Sequence, residues 1–274
     1  MKFSKMHGLG NDFVMIDGVN QPVSLTPEKI RRLADRHFGV GCDQVLLVEP
    51  PPSAKVDFSY RIFNADGSEV AQCGNGARCF ARFVRAKGLI ARDVIQVATA
   101  AGQMTLEIIG GNQVKVDMGV PRFAPAEIPL AVSEEATEYS LEIEGRQWFF
   151  GAASLGNPHA VITVPDIDKA PVQEIGAKIE NHHLFPERIN VGFMEVLDFH
   201  AIRLRVFERG AGETLACGSG ACAASVVGIE QGRLQSPVKV ALPGGELEIE
   251  WSGRGSSVMM TGPAEFVFEG EIML

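Results

Sequence analysis

The heptapeptide Cys73-Gly74-Asn75-Gly76-Ala77-Arg78-Cys79 decides how the chain is read. An apolar run with Tyr60, Ile62 and Phe63 precedes it, and a helix-like run with Phe80, Phe83 and Val84 follows. The order is strand, polar approach, cysteine, glycine turn, helix. A cysteine at a helix start meets backbone N–H groups that lack intrahelical partners and the positive end of the helix dipole, and both favour thiolate. Glycines at 74 and 76 remove Cβ atoms and let a ligand approach the backbone. Two readings stand open for the stretch alone: a reactive thiol beside an anion site, or a small buried cysteine in a glycine-rich turn.

Repetition separates them. Arg61-Ile62-Phe63-Asn64 begins twelve residues before Cys73, and Arg205-Val206-Phe207-Glu208 begins twelve residues before Cys217. Glu69 and Glu213 also match, and Gly74-x-Gly76-Ala77 matches Gly218-x-Gly220-Ala221, all at a constant offset of 144. With small shifts the echoes extend outward. Leu9-Gly10-Asn11 returns as Leu155-Gly156-Asn157, Val40-Gly41 as Val191-Gly192, and Met118-x-x-Pro121 as Met260-x-x-Pro263. So many matches in one order describe two homologous halves.

The expected fold is α+β, with two homologous lobes related by a pseudo-twofold axis. Each lobe is a mostly antiparallel sheet or barrel wrapped around a central buried helix. Residues 1–118 with 263–274 form the lobe carrying Cys73, and residues 119–262 the lobe carrying Cys217. Thr26 caps a helix whose stripe is Ile30, Leu33, Ala34 and His37, ending at Gly39. Val172, Ile175, Gly176 and Ile179 make the matching stripe. The helix after Cys217 is apolar nearly all round and is expected to be buried on most sides. Stretches 113–118, 203–207, 247–251 and 266–268 alternate as strands, and the last, continuing to Leu274, returns to the first lobe. Arg122 to Glu135 reads as a linker.

A net charge of −9 argues against a nucleic-acid surface. The arginines at 31, 32 and 36 and at 78, 82 and 85 read as solvated helix faces or local ion pairs. The longest uncharged run, Thr214 to Ile229, is too short and too rich in Gly, Ala and Ser for a membrane span. No signal-peptide core follows the N-terminus, so the expected location is cytoplasmic. Five cysteines, an odd count, without a secretion signal argue against a disulfide framework, and neither cysteines nor histidines have metal-ligand spacing. Cys42, Cys79 and Cys222 are read as small buried side chains.

Two thiols at repeated helix starts suit one task. If matching elements face one cleft, one thiolate removes a Cα proton and the opposite thiol returns a proton to the other face. Charge then grows on the substrate carboxylate, where first-turn N–H groups stabilise it. A shift of the thiols below their ordinary pKa of about 8.5 keeps a useful thiolate population. This scheme uses no pyridoxal phosphate, other cofactor or metal. The halves differ at Asn64 against Glu208 and at Phe13 against His159. His159 and Glu208 either serve proton transfer, grip a substrate ammonium, or make structural polar contacts. Arg209 either binds a second carboxylate or pairs with Glu208 at the surface.

Asn64-x-Asp66-Gly67-Ser68-x-x-x-x-Cys73-Gly74-Asn75-Gly76-x-Arg78 closely resembles the signature of the diaminopimelate epimerases. Gly210-Ala211-Gly212-Glu213-Thr214-x-Ala216-Cys217-Gly218-Ser219-Gly220 is similar to their second cysteine motif, and His7-Gly8-Leu9-Gly10-Asn11-Asp12-Phe13 to their N-terminal one. The resemblance covers the whole chain. It implies interconversion of LL- and meso-2,6-diaminopimelate in lysine and peptidoglycan biosynthesis, without a cofactor, by a homodimer. It also implies substrate contacts at Asn11, Gln44, Asn64, Gly74, Asn75, Asn157, Asn190, Glu208, Arg209, Gly218 and Ser219, and catalytic importance for His159 and Glu208 beside Cys73 and Cys217. The rival readings are a proline or hydroxyproline racemase of the same two-cysteine architecture, and a binding protein whose cysteines form a redox switch.

Overall fold

The computed structural model describes residues 1–71, 73–100 and 102–273, so Leu274, the expected end of the last strand, lies outside the described residues. The chain forms two compact units, Met1–Asp117 with Thr261–Leu274, and Met118–Met260. Along the first run β1 (Lys2–Gly8), β2 (Asn11–Asp17), α1 (Pro27–Ala34), β3 (Gln44–Glu49), β4 (Phe58–Asn64), β5 (Glu69–Val70), α2 (Gly74–Ala86), β6 (Val94–Thr99), β7 (Gly102–Gly110) and β8 (Gln113–Asp117). The second unit carries β9 (Tyr139–Ile143), β10 (Arg146–Ser154), β11 (Pro158–Thr163), α3 (Val172–Glu180), β12 (Asn190–Asp198), β13 (Ala201–Glu208), β14 (Gly212–Thr214), α4 (Gly218–Glu230), β15 (Val238–Leu242) and β16 (Gly245–Glu250). The chain then passes through β17 (Met259–Pro263) and ends in β18 (Glu265–Glu271). No helix among the described residues is long and apolar enough to cross a membrane.

The strands of the first unit lie in the order β18-β1-β2-β3-β4-β6-β7-β8. Only the pairs β2–β3 and β4–β6 are parallel; the rest of this path is antiparallel. In the second unit the order is β9-β10-β11-β12-β13-β15-β16, with β11–β12 and β13–β15 parallel. The repeat therefore holds at the level of register. Phe13 sits opposite Gln44 as His159 sits opposite Asn190, and Ile62 opposite Val70 as Val206 opposite Thr214.

Each sheet curls about one helix. Packed against α2 are β1, β2, β3, β7 and β8, strands from both ends of the first unit's path, and α4 packs against β10 to β13, β15 and β16. The sheet is α+β and mostly antiparallel, as expected. The residue types explain the two helices. Cys79, Phe80, Phe83 and Val84 fill the core around α2, while α4 buries ten residues running from Gly218 to Gly228, most of them Ala, Gly and Val. Small side chains let strands approach the second helix from most sides.

Four details depart from the sequence reading. Helix α1 stops at Ala34, because Asp35 Oδ1 accepts from the N–H groups of His37 (2.7 Å) and Phe38 (2.8 Å) and turns the chain. His37 is therefore exposed, not part of the buried stripe. Arg78 is fully buried, not on a solvated face. Its Nε donates to Pro263 O at 3.0 Å and its Nη2 to Asn75 Oδ1 at 2.8 Å, which compensates the cost of burying a guanidinium. The segment 122–135 belongs to the second unit, where Ile128 and Leu130 enter the core.

Two matched ion pairs hold the approaches to the cysteines. Arg61 grips Glu69 with Nε and Nη2 at 2.8 and 2.7 Å, across β4 and β5. Arg205 grips Glu213 in the same way at 2.6 and 2.9 Å, across β13 and β14. The offset of 144 relates both glutamates and both arginines, and the strand pairing brings each glutamate to its arginine.

In α3, a Cβ added at Gly176 would stand 2.6 Å from Phe207 Cβ and 2.7 Å from its Cγ. Phe207 is rooted in β13 next to Glu208, so it has no room to yield. Gly176→Ala is expected to destabilise the protein by about 1–3 kcal/mol through overpacking. Urea unfolding of the variant checks this, with an unchanged midpoint as the contrary result.

Candidate active site

In the first unit Cys73 is the N-cap residue of α2, in extended conformation, and its side chain makes no capping bond. The thiol is half-buried and its Sγ lies 3.6 Å from Asn11 Oδ1. Asn75 Nδ2 donates to the same oxygen at 3.3 Å. Arg78 orients that amide from below, since a guanidinium only donates and must face Asn75 Oδ1. Asn11 is oriented in turn by Asp43, whose Oδ2 accepts from Asn11 Nδ2 at 3.1 Å. Asp43 belongs to a cluster with Arg36, Asp12 and Lys5. Within it, hydrogen bonds from Arg36 and Lys5 outweigh partial burial and hold the Asp12 carboxyl well below its ordinary range. Gln44 Nε2 donates to Asn64 Oδ1 at 3.0 Å, and Asn64 Nδ2 to Ser68 Oγ at 3.1 Å. Among the described residues the buried Gln44 Oε1 atom has no hydrogen-bond partner.

In the second unit Cys217 caps α4 in the same way, again with no side-chain capping bond. Its surroundings differ. The thiol is buried and donates to Glu208 Oε2 at 3.1 Å, with Ser219 Oγ at 3.7 Å. Thr214 Oγ1 donates to the other oxygen, Glu208 Oε1, at 2.5 Å. His159 Nε2 lies 3.0 Å from Ser219 Oγ and 3.2 Å from Asn157 Oδ1, and Asn157 Nδ2 donates to Ser219 Oγ at 3.1 Å. Asn190 spends its side chain on the backbone, donating to Pro158 O at 2.8 Å and accepting from Arg209 N at 2.9 Å.

Electrostatics separate the second half-site from the sequence expectation. The helix start alone predicts a lowered thiol pKa. Instead, burial first and the Glu208 carboxylate second push the Cys217 thiol well above its ordinary value. Desolvation and a like charge oppose thiolate more than the dipole favours it. Burial, followed by the nearby Arg209 charge, pushes His159 down to about 3, so it is a neutral imidazole around pH 7.

Within the first unit the structure gathers Asn11, Cys73 and Asn75, with Gly74 opening α2, and joins Gln44 to Asn64. Within the second it joins Asn157, His159, Glu208, Cys217 and Ser219 into one network, with Gly218 opening α4. Glu208 and Arg209 do not pair with each other among the described residues. Glu208 turns to Cys217, while Arg209 is exposed and donates to Glu187 O at 3.0 Å. Two of the four motif glycines serve packing: a Cβ at Gly76 would press on Ile62 and Phe13, and one at Gly220 on Val206 and Cys217. Sequence reasoning missed Thr214, Asp43 and Arg78 as orienting groups. Thr214 and Arg78 lie inside the quoted motifs, but their partners are set by the hairpin and the helix turn.

The chain matches the family model described as diaminopimelate epimerase over residues 3–124 and 151–267. It is 58% identical over 274 residues to a diaminopimelate epimerase of Stutzerimonas stutzeri, covering 100% of this chain and 99% of that one. It is 59% identical over the same length to one of Chromobacterium violaceum, again covering 100% and 99%. Among solved structures, a hydroxyproline epimerase from Agrobacterium vitis with bound trans-4-hydroxy-L-proline superposes with a TM-score of 0.68 at 16% identity, covering 98% of this chain and 91% of that one. That likeness is one of fold.

A histidine held neutral by burial makes stability depend on pH. The unfolded chain binds a proton at His159 below about pH 6.5, and the folded chain only near 3. This contribution is fully present above 6.5 and is lost as pH falls toward 3, at about 1.4 kcal/mol per pH unit. His159→Gln is expected to flatten the fall in unfolding free energy between pH 7 and 5. Denaturant titrations across that range measure it, and an unchanged slope contradicts it.

Proposed function

We propose that this chain, which belongs to the diaminopimelate epimerase family, epimerises diaminopimelate with two thiols, Cys73 and Cys217, acting on opposite faces of one Cα. The substrate pair is LL- and meso-2,6-diaminopimelate, and the enzyme works in the cytoplasm as a homodimer without an added cofactor. The observation that carries the mechanism is the equivalence of the two cysteines. Each occupies the N-cap position of the central helix of its unit, and neither makes a side-chain capping bond there.

In one direction Cys73 acts as thiolate and removes the Cα proton. Cys217, kept as a thiol by burial and by Glu208, delivers a proton to the other face. The net result is one C–H bond broken and one formed, with the proton inventory exchanged between the thiols. In the reverse direction the roles exchange. First-turn N–H groups of α2 and α4 receive the charge that develops on the substrate carboxylate. Glu208 accepts the S–H of Cys217 and binds substrate ammonium. His159, neutral, orients Ser219 and Asn157. The distal amino-acid end is held by Asn64, Asn157, Asn190 and Arg209, with Asn11, Gln44, Gly74, Asn75, Gly218 and Ser219 completing the contacts. Directed polar groups reject analogues that lack the distal end, because their partners would be left buried and unsatisfied. Identity with diaminopimelate epimerases over the whole chain favours this substrate over proline, whose enzymes share the fold.

Run in heavy water with LL-diaminopimelate, the wild type is expected to incorporate deuterium at Cα. Cys73→Ala and Cys217→Ala should each lower epimerisation by about 10²–10⁴-fold, the usual worth of a general acid or base. Full epimerisation in both variants would exclude the two-thiol mechanism, and turnover of proline but not diaminopimelate would exclude the substrate.

A further inference from the structure

The second half-site differs from the first by a pair of residues, not by one. Glu208 stands where the first unit has Asn64, and Thr214 stands where it has Val70. Register confirms the second match, since Val206 pairs with Thr214 as Ile62 pairs with Val70. Glu208 pairs with Gly212 in the same hairpin, which makes Glu208 and Thr214 diagonal neighbours on one face of β13 and β14. Their side chains meet there, with Thr214 Oγ1 donating to Glu208 Oε1 at 2.5 Å. The other carboxylate oxygen then faces Cys217 Sγ at 3.1 Å.

A glutamate has three side-chain torsions, and nothing in its own chemistry aims one oxygen at a thiol. The hydroxyl supplies that aim by holding Oε1. Glu213, next to Thr214, is clamped by Arg205 through two hydrogen bonds, so the short strand β14 cannot slide. In the first unit, where Asn64 stands in place of the carboxylate, Val70 occupies the Thr214 position and a different hydroxyl, Ser68 Oγ, accepts from Asn64 Nδ2 at 3.1 Å.

We propose that Thr214 is a positioning residue: its hydroxyl orients the Glu208 carboxylate toward Cys217, and it acts on the reaction only through Glu208. This rests on the two-thiol reading for its effect on turnover. The contact itself stands independently of it.

Thr214→Val is the decisive variant, because valine is β-branched, suits a strand and is the residue the first unit uses at this place. Its kcat for diaminopimelate is expected to fall by about 10-fold or more, the scale of a hydrogen bond to a charged group, with KM moved far less. Thr214→Ser, which keeps the hydroxyl, should restore kcat to within about threefold of wild type. In a Glu208→Gln background, Thr214→Val should cost less than about twofold more, the sign of residues that act as one unit. Wild-type kcat in Thr214→Val, failure of serine to rescue, or an equal loss in both backgrounds would each overturn the proposal.

A substrate-free arm keeps this separate from the mechanism. Iodoacetamide modification, followed by mass spectrometry of each cysteine, should be faster at Cys217 in Thr214→Val, since the released carboxylate no longer holds the S–H. Modification at buried Cys222 should not change. Equal rates at Cys217 in the two proteins, or a parallel rise at Cys222, would overturn the proposal even if Cys217→Ala proved fully active and the two-thiol reading fell.

Discussion

Both central helices have a cysteine, and not an oxygen-bearing side chain, at the N-cap position. A serine, threonine or aspartate there would satisfy a first-turn N–H and contribute about 1 kcal/mol. The chain forgoes that stabilisation twice, and it does so at the two places where the proposed reaction puts the substrate carboxylate. Much of the surrounding architecture makes this tolerable. Sheets wrap α2 and α4, so helix formation is driven by burial of Phe80, Phe83, Val84, Val226 and Val227, not by the caps. The Arg61–Glu69 and Arg205–Glu213 clamps fix the hairpins that lead into each helix start.

The departures from symmetry obey the same accounting of polar groups. Most buried donors and acceptors have a partner, and the polar residues that distinguish the second half-site each have one. His159 replaces Phe13, and Ser219 replaces Asn75 within reach of its ring. Glu208 replaces Asn64, and Thr214 replaces Val70 beneath it. The second half-site thus differs from the first at paired positions, each ionisable group lying beside a group that hydrogen-bonds it. Arg78 shows the converse in the first unit. A fully buried cation is kept there because Asn75, Gly74 and Pro263 accept its donors.

What was legible in the sequence was whatever is local or repeated. The two helix starts, the strand patterns and the mostly antiparallel sheet around a buried helix follow from periodicity and from the offset of 144. Partner choice was not legible, because it depends on contacts between distant segments. Arg209 follows Glu208 in the chain, yet alternation along the strand sends Glu208 toward Cys217 and leaves Arg209 exposed. The arginine stripe hid Arg78, whose acceptor Pro263 lies 185 residues away. Gly76 reads as space for a ligand, but side chains of the sheet, Ile62 and Phe13, take that space. The end of α1 was misplaced because Asp35 competes for the backbone through its own side chain, which apolar periodicity does not register.

The environment of Cys217 constrains how the proposed reaction runs in each direction. As a thiol it suits its surroundings: the S–H has a carboxylate acceptor and no charge is buried on sulfur. As a thiolate it would place a second negative charge 3.1 Å from Glu208 in a site shielded from water. Ser219 and the start of α4 offset part of that repulsion, but burial and Glu208 outweigh them in the ligand-free protein. The direction that begins with proton removal by Cys217 therefore needs Glu208 to be compensated first. A substrate ammonium bound at Glu208 does this without any further group, since it supplies a positive charge and takes up the carboxylate that opposed ionisation. In the proposed reaction, substrate binding and activation of the second thiol are then one event.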